Sequence, residues 1–293
     1  MSALGSFQPR RLWQNAQQDE LLVNSLYLMF SSAATAGLGF VFWIVVARLY
    51  SAESVGLATS LLSATTVISM LSLLGFGSSF VRFLPKSVNR DREISLGLLA
   101  AGATALVGAA VYVALIPQIA SKLDFVRQSG WMTLGFVAMT AFAAVNLLTD
   151  SVFVAYRAGR FNFYIDGLLQ SGSKLLLLFV FAGSGAFGIF SAGGVAATVG
   201  VLASLWILMR RFAYRPRPVV DLSAIGNAFH FTAASYVASV FNLLPILVVP
   251  VIVLGKLDSS SAGYYFIAFQ ITSLLSGVAF AVTQSLLAEV GHA

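Results

Sequence analysis

The chain has 293 residues, of which 58% are hydrophobic and 10% are charged, and its mean hydropathy is +0.88. Soluble domains carry about 25% charged residues, so this composition indicates a polytopic membrane protein. The net charge of +6 does not indicate nucleic-acid binding, because the basic residues cluster in short loops, where they orient membrane helices. The sequence contains no cysteine, which excludes disulfides, thiolate metal sites and cysteine catalysis.

Eight segments are long and apolar enough to cross about 30 Å of hydrocarbon, which takes roughly 20 residues. In chain order they are Leu21–Ala47, Ser54–Phe80, Ile94–Ile116, Trp131–Tyr156, Phe161–Ala182, Ala186–Met209, Phe231–Gly255 and Ala262–Leu287. The fifth and sixth are separated only by Gly183-Ser184-Gly185, which favours a tight hairpin. The sequence therefore predicts an all-α integral membrane protein with about eight transmembrane helices.

Lysine and arginine in the loops predict how these helices are oriented. Twelve fall on one side: Arg10, Arg11, Arg82, Lys86, Arg90, Arg92, Arg157, Arg160, Arg210, Arg211, Arg215 and Arg217. Four fall on the other: Arg48, Lys122, Arg127 and Lys256. This asymmetry places the N-terminus in the cytoplasm.

Two short signatures, each lying between long apolar segments, are similar to each other. Arg48-Leu49-Tyr50-Ser51 is followed by Gly56, and Lys256-Leu257-Asp258-Ser259 is followed by Gly263. The basic residues are 208 positions apart and the glycines 207, which suggests that one residue is gained or lost between the copies. A membrane chain that repeats after about 200 residues indicates a transporter built from two halves.

The longest connection contains Pro216 and Pro218 and marks the boundary between the two halves. The predicted organisation is a cytoplasmic N-terminal segment (1–20), a six-helix first lobe (21–209), a cytoplasmic inter-lobe loop (210–227) and the first two helices of a second lobe (228–293). Both halves begin on the same side, so the repeats are parallel. The incomplete second lobe predicts a C-terminally truncated chain or an eight-helix protein that a partner chain completes.

The fifth predicted span carries the candidate substrate cavity. Asn162, Asp166, Gln170 and Lys174 follow one another at intervals of four and so share one helical face. Lys174 lies roughly 20 Å into the membrane at 1.5 Å per residue, where a charged side chain is costly and faces the bundle interior. One interpretation is a cationic cavity wall for an anionic substrate, with Asp166 tuning or neutralising Lys174. The other is a structural network that fixes helix packing.

Asp150, in the cytoplasmic half of the fourth span, is the candidate for ion coupling. It could bind a cation or a proton, or it could pair with Arg157 or with a residue of the fifth helix, and the structural pairing is favoured. The sequence contains no Walker motif and no clustered set of metal ligands. We therefore expect no metal and no cofactor, and a transporter that depends on H⁺ or Na⁺.

Helix breakers fall at matching positions of the two repeats. Pro245 and Pro250 interrupt the seventh span, and Gly37 and Gly39 weaken the first, with Gly37 opposite Pro245. Such pairs point to a transport site or gate, and Asn242 could satisfy a freed carbonyl or contact substrate. The alternative is that glycine and proline are simply more frequent in membrane helices.

The loop between the second and third spans holds an inner-face basic cluster. It consists of Arg82, Lys86, Arg90 and Arg92. These side chains enforce orientation, and they could also attract an anionic lipid headgroup at the inner leaflet.

Two stretches carry a resemblance to a known family. They are Ala47-Arg48-Leu49-Tyr50-Ser51 through Gly56-Leu57-Ala58-Thr59, and Gly75-Phe76-Gly77 with Arg82-Phe83-Leu84-Pro85. The chain resembles polysaccharide-biosynthesis membrane proteins, the O-antigen and lipid-linked oligosaccharide flippases, in the superfamily that includes multidrug-and-toxin exporters. Members have twelve to fourteen helices in two six-helix lobes, so a chain that ends at helix eight departs from the pattern.

The resemblance implies a transporter, not an enzyme, that flips a lipid-linked oligosaccharide or polysaccharide precursor by alternating access. It implies the cytoplasmic (inner) membrane of a bacterium or archaeon. The expected partners are the lipid-linked glycan, membrane lipids, other polysaccharide-assembly proteins and a chain that completes the second lobe. The alternatives are a multidrug or cation antiporter of the same superfamily and a non-transporting truncated product or subunit.

Overall fold

The computed structural model describes residues 20–217, 241, 249, 252–269 and 272, and the part of the chain so described is helical without strands. Six of its helices are long and apolar enough to cross a membrane. They are α1 (Glu20–Leu49), α2 (Ala52–Ser72), α3 (Arg90–Ile119), α4 (Gly130–Ala155), α5 (Gly159–Val180) and α6 (Gly185–Arg211). Residues 252–256 and 259–269 form two further helical segments, α7 and α8. The all-α membrane fold is thus confirmed, whereas the division into lobes stays a prediction.

The second predicted span is not one helix. α2 ends at Ser72, and a separate short helix occupies Phe76–Phe83. Between them Leu74 (φ 49°) and Gly75 (φ 82°) adopt the left-handed conformation, which glycine accepts readily and leucine does not. The apolar pattern continues through this break because Phe76 and Phe80 of the short helix are buried against α3, so hydropathy alone could not reveal it.

Connections alternate between the two ends of the helix bundle. At one end the Tyr50 hydroxyl donates to the carbonyl oxygens of Leu178 (3.3 Å) and Phe181 (3.2 Å), which joins the α1–α2 turn to the α5–α6 turn. At the other end the Gly159 amide donates to Asn24 Oδ1 (2.6 Å), which joins the α4–α5 connection to the start of α1. We call these the Tyr50 end and the Asn24 end. Loop charge predicts that the Tyr50 end is outside.

The residues that follow α6 are bound to the Asn24 end. The Ser95 hydroxyl donates to the Asp91 carbonyl (2.7 Å) and accepts from the Tyr214 hydroxyl (2.9 Å) and the Arg217 amide (2.9 Å). Burial raises the pKa of Tyr214, so its phenol remains protonated over a wide pH range. The predicted inter-lobe loop therefore starts as a fixed extension of the first six helices.

The helix termini correct the register of the internal repeat. α1 and α7 finish alike, with the Tyr50 amide donating to the Val46 carbonyl and the Leu257 amide donating to the Val253 carbonyl, both at 2.9 Å. Leu257 follows Tyr50 by 207 positions, and Val253 follows Val46 by the same number. Lys256 is therefore equivalent to Leu49, and the pairing of Arg48 with Lys256 is wrong because it followed residue type and not helix geometry.

The starts of α2 and α8 have the same offset. The Ser54 amide donates to Ser51 Oγ (3.2 Å), and the Ser261 amide donates to Asp258 Oδ1 (2.8 Å). Serine and aspartate are both strong N-cap residues, so different side chains satisfy the same free amides. With an offset of 207 on both sides of the turn, no residue is gained or lost here.

Candidate ion and substrate site

Asn146 on α4 is the centre of a buried polar network, although sequence analysis did not select it. Its side-chain Nδ2 donates to Asp150 Oδ2 and to Asp166 Oδ1, both at 3.3 Å. Its Oδ1 accepts from Gln170 Nε2 at 3.1 Å. Asn146 is only 7% exposed. A single primary amide, with two N–H donors and one carbonyl acceptor, thus joins side chains from α4 and α5.

The two carboxyl groups of the network lie close together, because both accept a hydrogen bond from the same Asn146 amide nitrogen. Asp150 lies about 8 Å from the end of α4 and Asp166 about 10 Å from the start of α5, at 1.5 Å per residue. Two negative charges this close, inside a membrane bundle, repel and are poorly solvated. Such a pair is suited to holding one proton or one monovalent cation between its oxygens.

Three buried polar atoms of α4, α5 and α6 have no hydrogen-bond partner among the described residues. They are Asp150 Oδ1, Asn162 Oδ1 and Ser204 Oγ. Asn162 is 6% exposed, and its Nδ2 donates to the Asp150 carbonyl at 3.4 Å. Each of the three atoms can act as an acceptor, and buried acceptors without partners are rare in native proteins. Carboxylate, amide and hydroxyl oxygens are also the ligands that hard cations prefer.

Gly200 brings α6 close to the same network. A Cβ built at Gly200 would lie 2.8 Å from Gln170 Nε2 and 3.0 Å from Asn146 Oδ1. The missing side chain lets the α6 backbone approach, as small residues do at membrane helix interfaces. Ser204 lies one turn further along the same face of α6. Three helices therefore enclose the polar atoms.

α5 does not have the uniform α-helical geometry that the four-residue spacing assumed. Residues Phe163–Gln170 form a π-helix, with α-helix before it and from Ser171 onward. Each π turn contains more residues than an α turn. Residues spaced by four therefore rotate around the π-helix axis in the direction opposite to that in an α-helix. Asn162, Asp166 and Gln170 all contact α4 residues. A π-helix is uncommon and frequently marks functional sites.

Lys174 lies apart from the other three predicted cavity residues. Its ammonium nitrogen is 4.2 Å from the centroid of the Phe42 ring on α1, which is a cation–π contact. Within the described part of the chain, no carboxylate oxygen lies within 4.0 Å of that nitrogen. The expectation that Asp166 neutralises Lys174 is therefore not met, because the π-helix directs Asp166 towards Asn146.

The predicted gate residues lie partly outside the described residues. Asn242, Pro245 and Pro250 all fall there. α1 runs unbroken through Gly37 and Gly39, and a Cβ built at either glycine would meet no atom within 4 Å. The gate therefore stays a prediction, and the corrected register moves Gly37 from opposite Pro245 to opposite Leu244.

The inner-face basic cluster lies at the Asn24 end, and all four of its side chains are exposed. Arg90 also serves the local structure, because Nη2 donates to the Pro85 carbonyl (2.9 Å) and Nε donates to the Ser87 carbonyl (3.3 Å). Its guanidinium carbon lies 5.9 Å from the Tyr156 ring centroid. Lys86 ends a 3-10 turn, Leu84–Lys86, while Arg82 and Arg92 flank this connection.

Three residues that complete the candidate site were missed by sequence reasoning. Asn146 precedes Asp150 by four positions, so polar spacing on α4 could have revealed it. Gly200 and Ser204 carry no such signal, because small residues are common in membrane helices. Only the packing of α6 against α4 and α5 identifies them.

Comparison with known proteins supplies one match. A family model described as polysaccharide biosynthesis protein matches residues 21–287. No curated protein and no solved structure matches the chain.

Proposed function

Because the chain belongs to the family of polysaccharide biosynthesis proteins, we propose that it flips a lipid-linked glycan precursor across the cytoplasmic membrane by alternating access. It is a multi-pass membrane protein of a transporter-like family. The proposed orientation places the N-terminus and the Asn24 end in the cytoplasm, following the loop charges.

The polar network between α4, α5 and α6 is the observation that carries this proposal. A helix bundle that only anchors a protein has no use for two carboxyl groups and two further acceptors without partners inside the membrane. In transporters, ionisable groups inside the membrane mark ion pathways and proton relays. We assign Asp150 and Asp166 to binding of H⁺ or Na⁺, with Asn162 and Ser204 as neutral oxygen ligands.

Ion binding at this pair has a direct structural route to α1. Gly167, in the π-helical part of α5, packs against α1, where a Cβ at Gly167 would lie 3.4 Å from Ala34 Cβ and 3.5 Å from Ser31 Cα. Neutralising the Asp150–Asp166 pair removes the repulsion between α4 and α5. A change in the position of α5 is then transmitted to α1 through this close contact.

Lys174 is the proposed contact for the anionic part of the substrate. Its charge is held in the membrane by the Phe42 ring and not by a carboxylate. A cation–π contact leaves a net positive charge available for a second partner, such as a lipid pyrophosphate. Asp150 and Asp166 then bind the ion, and Lys174 binds the substrate.

The test is complementation of a strain that lacks an oligosaccharide flippase, with surface glycan as the readout. We expect Lys174→Ala to abolish rescue while membrane insertion is unchanged, and Lys256→Ala, at an exposed lysine outside the basic cluster, to retain it. Rescue by Lys174→Ala at the wild-type level would remove Lys174 from the substrate site. Absence of rescue by the wild-type chain together with efflux of cationic drugs would overturn the flippase proposal.

A multidrug or cation antiporter is the second candidate, and the two carboxyl groups favour it. A cation substrate would occupy the Asp150–Asp166 pair itself, without Lys174. Drug-resistance assays separate the two functions. An antiporter loses activity in Asp166→Asn and retains it in Lys174→Ala, whereas a glycan flippase loses activity in both.

A further inference from the structure

The two copies of the repeated signature touch each other at their glycines. A Cβ built at Gly56 on α2 would lie 1.8 Å from the Ser259 carbonyl oxygen and 2.9 Å from the Gly263 amide nitrogen. A Cβ built at Gly263 on α8 would lie 2.3 Å from the Ala52 carbonyl oxygen. Neither glycine can carry a side chain while the two helices are this close.

This contact is reciprocal. With the offset of 207, Gly56 is equivalent to Gly263 and Ala52 to Ser259. Gly56 faces the backbone of Ser259 just as Gly263 faces the backbone of Ala52. Equivalent residues that contact each other in this way indicate a two-fold axis between them. The pseudo-two-fold axis of the repeat therefore passes through the α2–α8 crossing.

Lys122, in the α3–α4 connection, binds the end of α7 at the same place. Its ammonium nitrogen donates to the carbonyl oxygens of Leu254 (2.9 Å) and Leu257 (2.8 Å). The last carbonyls of a helix lack partners within it and carry the negative end of its dipole. Lys122, from the α3–α4 connection, thus supplies hydrogen-bond donors to free carbonyl groups at the end of α7.

Apolar packing completes the contact. Leu254 (1% exposed) and Ala262 (0%) belong to a buried cluster with Ile116 and Leu123. The Trp43 and Phe266 ring centroids are 4.5 Å apart. α7 and α8 are therefore bound to the first six helices at the Tyr50 end by backbone, charged and apolar contacts together.

We propose that the Gly56–Gly263 crossing and Lys122 form a reversible clasp that closes the Tyr50 end between the two repeats. The crossing fixes how closely α2 and α8 approach, and Lys122 stabilises the closed form through the α7 carbonyls. This inference rests on the proposed transport cycle, in which the clasp must open and close once per turnover.

Lys122 is suited to a reversible contact. Its side chain is exposed, so the ammonium can exchange the two carbonyls for water when the ends separate. A buried ion pair at this place would cost much more to break. The two glycines let the α2 and α8 backbones approach closely, and they have no side chains that would need new partners when the helices separate.

Distance measurement between two spin labels tests the clasp in the full chain. The protein has no cysteine, so Gln128→Cys and Lys256→Cys would supply the only thiols. Both positions are exposed, and they lie on either side of the clasp. Double electron–electron resonance in lipid nanodiscs then gives the closed and open populations without any substrate.

Gly56→Ala and Gly263→Ala should each raise the open-to-closed ratio by about tenfold or more, because the added methyl overlaps a carbonyl oxygen. Gly255→Ala is the matched control, since a Cβ there meets no atom within 4 Å. The double alanine variant should add little to either single variant, because both methyls obstruct one crossing. Equal distance distributions for Gly56→Ala and Gly255→Ala would overturn the proposal.

Lys122→Met tests the charged contact separately. Because it leaves helix packing unaltered, it also tests the clasp if the alanine variants do not accumulate. We expect a rise of about threefold in the open-to-closed ratio, with recovery in Lys122→Arg. An unchanged ratio in Lys122→Met would show that Lys122 is no part of the clasp. Because the measurement needs no transport, failed complementation with an intact distance response would reject the flippase function and keep the clasp.

Discussion

Two helix contacts in this protein solve the problem of association in a membrane in different ways. Between α4, α5 and α6, side chains hydrogen-bond around Asn146. Between α2 and α8, the backbones meet at Gly56 and Gly263. Lipid is as apolar as leucine, so helices associate through hydrogen bonds and close packing and not through the hydrophobic effect. The first contact lies within the first six helices, and the second joins them to α8.

This difference bears on which contact can open. A polar network inside lipid loses several hydrogen bonds if its helices separate, and no water replaces them. The glycine crossing exposes only backbone groups that already bond within their own helices. The network is therefore suited to hold the first six helices together, and the crossing is suited to repeated separation.

Asn146→Leu should have the largest effect, because it removes the partner of Asp150, Asp166 and Gln170 at once. We expect a loss of about 3 kcal/mol in the free energy of unfolding, as buried polar groups without partners are costly. Thermal unfolding of the purified protein in detergent measures it. Asn89→Leu, at an exposed position without a side-chain cap bond, is the control. Equal midpoints for the two variants would contradict the central role of Asn146.

Gly200→Ala should destabilise by about 1–3 kcal/mol, because the added methyl displaces Gln170 or Asn146. Gly193→Ala on the same helix is the control, since its Cβ would make an ordinary 3.7 Å contact with Leu62. The comparison with Gly56→Ala is informative. The Gly200 variant should lower the unfolding midpoint, and the Gly56 variant should mainly shift the distance distribution. The same response from both would remove the distinction between the two contacts.

The contact between Lys174 and Phe42 should contribute about 1 kcal/mol, in the range for a desolvated cation–π pair. A double-mutant cycle with Lys174→Met and Phe42→Leu measures this coupling through unfolding in detergent. Strictly additive single effects would mean that the ring does not hold the ammonium. Phe136→Leu, at a buried ring elsewhere in the core, gives the loss that ring truncation causes without a cation.

The smallest effect is expected at the helix caps beside the crossing. Hydrogen bonds from Ser261 lower the pKa of Asp258 below its usual 3.8. A depressed pKa means that the stabilisation is present above pH 3.8 and is lost as the pH falls through the folded-state value. Hydrogen exchange of the Ser261 amide should therefore accelerate, relative to the intrinsic rate, in strong acid. Asp258→Ser, which copies the Ser51 cap, should abolish this pH dependence and change little at neutral pH.

Hydropathy and loop composition were sufficient to predict several features of the fold. Six apolar spans, the hairpin at Gly185 and the alternation of loop ends follow from residue type and length. The sequence did not reveal the break at Leu74 and Gly75, because the apolar pattern runs through it. Nor did it reveal the π-helix in α5, a segment that packs against α1 and α6.

The candidate site was found in part for the same reason. Charged and amide side chains in an apolar span are visible in the sequence, so Asp150, Asp166, Gln170 and Asn162 were selected. Which of them meet was decided by packing, which united these four with Asn146 and turned Lys174 towards Phe42.

The repeat shows the limit of each source most clearly. Comparison of the two signatures in the sequence is enough to show that Gly56 and Gly263 occupy matching positions after matching turns. Their contact becomes visible only in the folded structure, because two residues related by a two-fold axis can lie at any distance from that axis. The folded structure also fixed the register at 207, since hydrogen bonds at helix ends define equivalent positions where residue types differ.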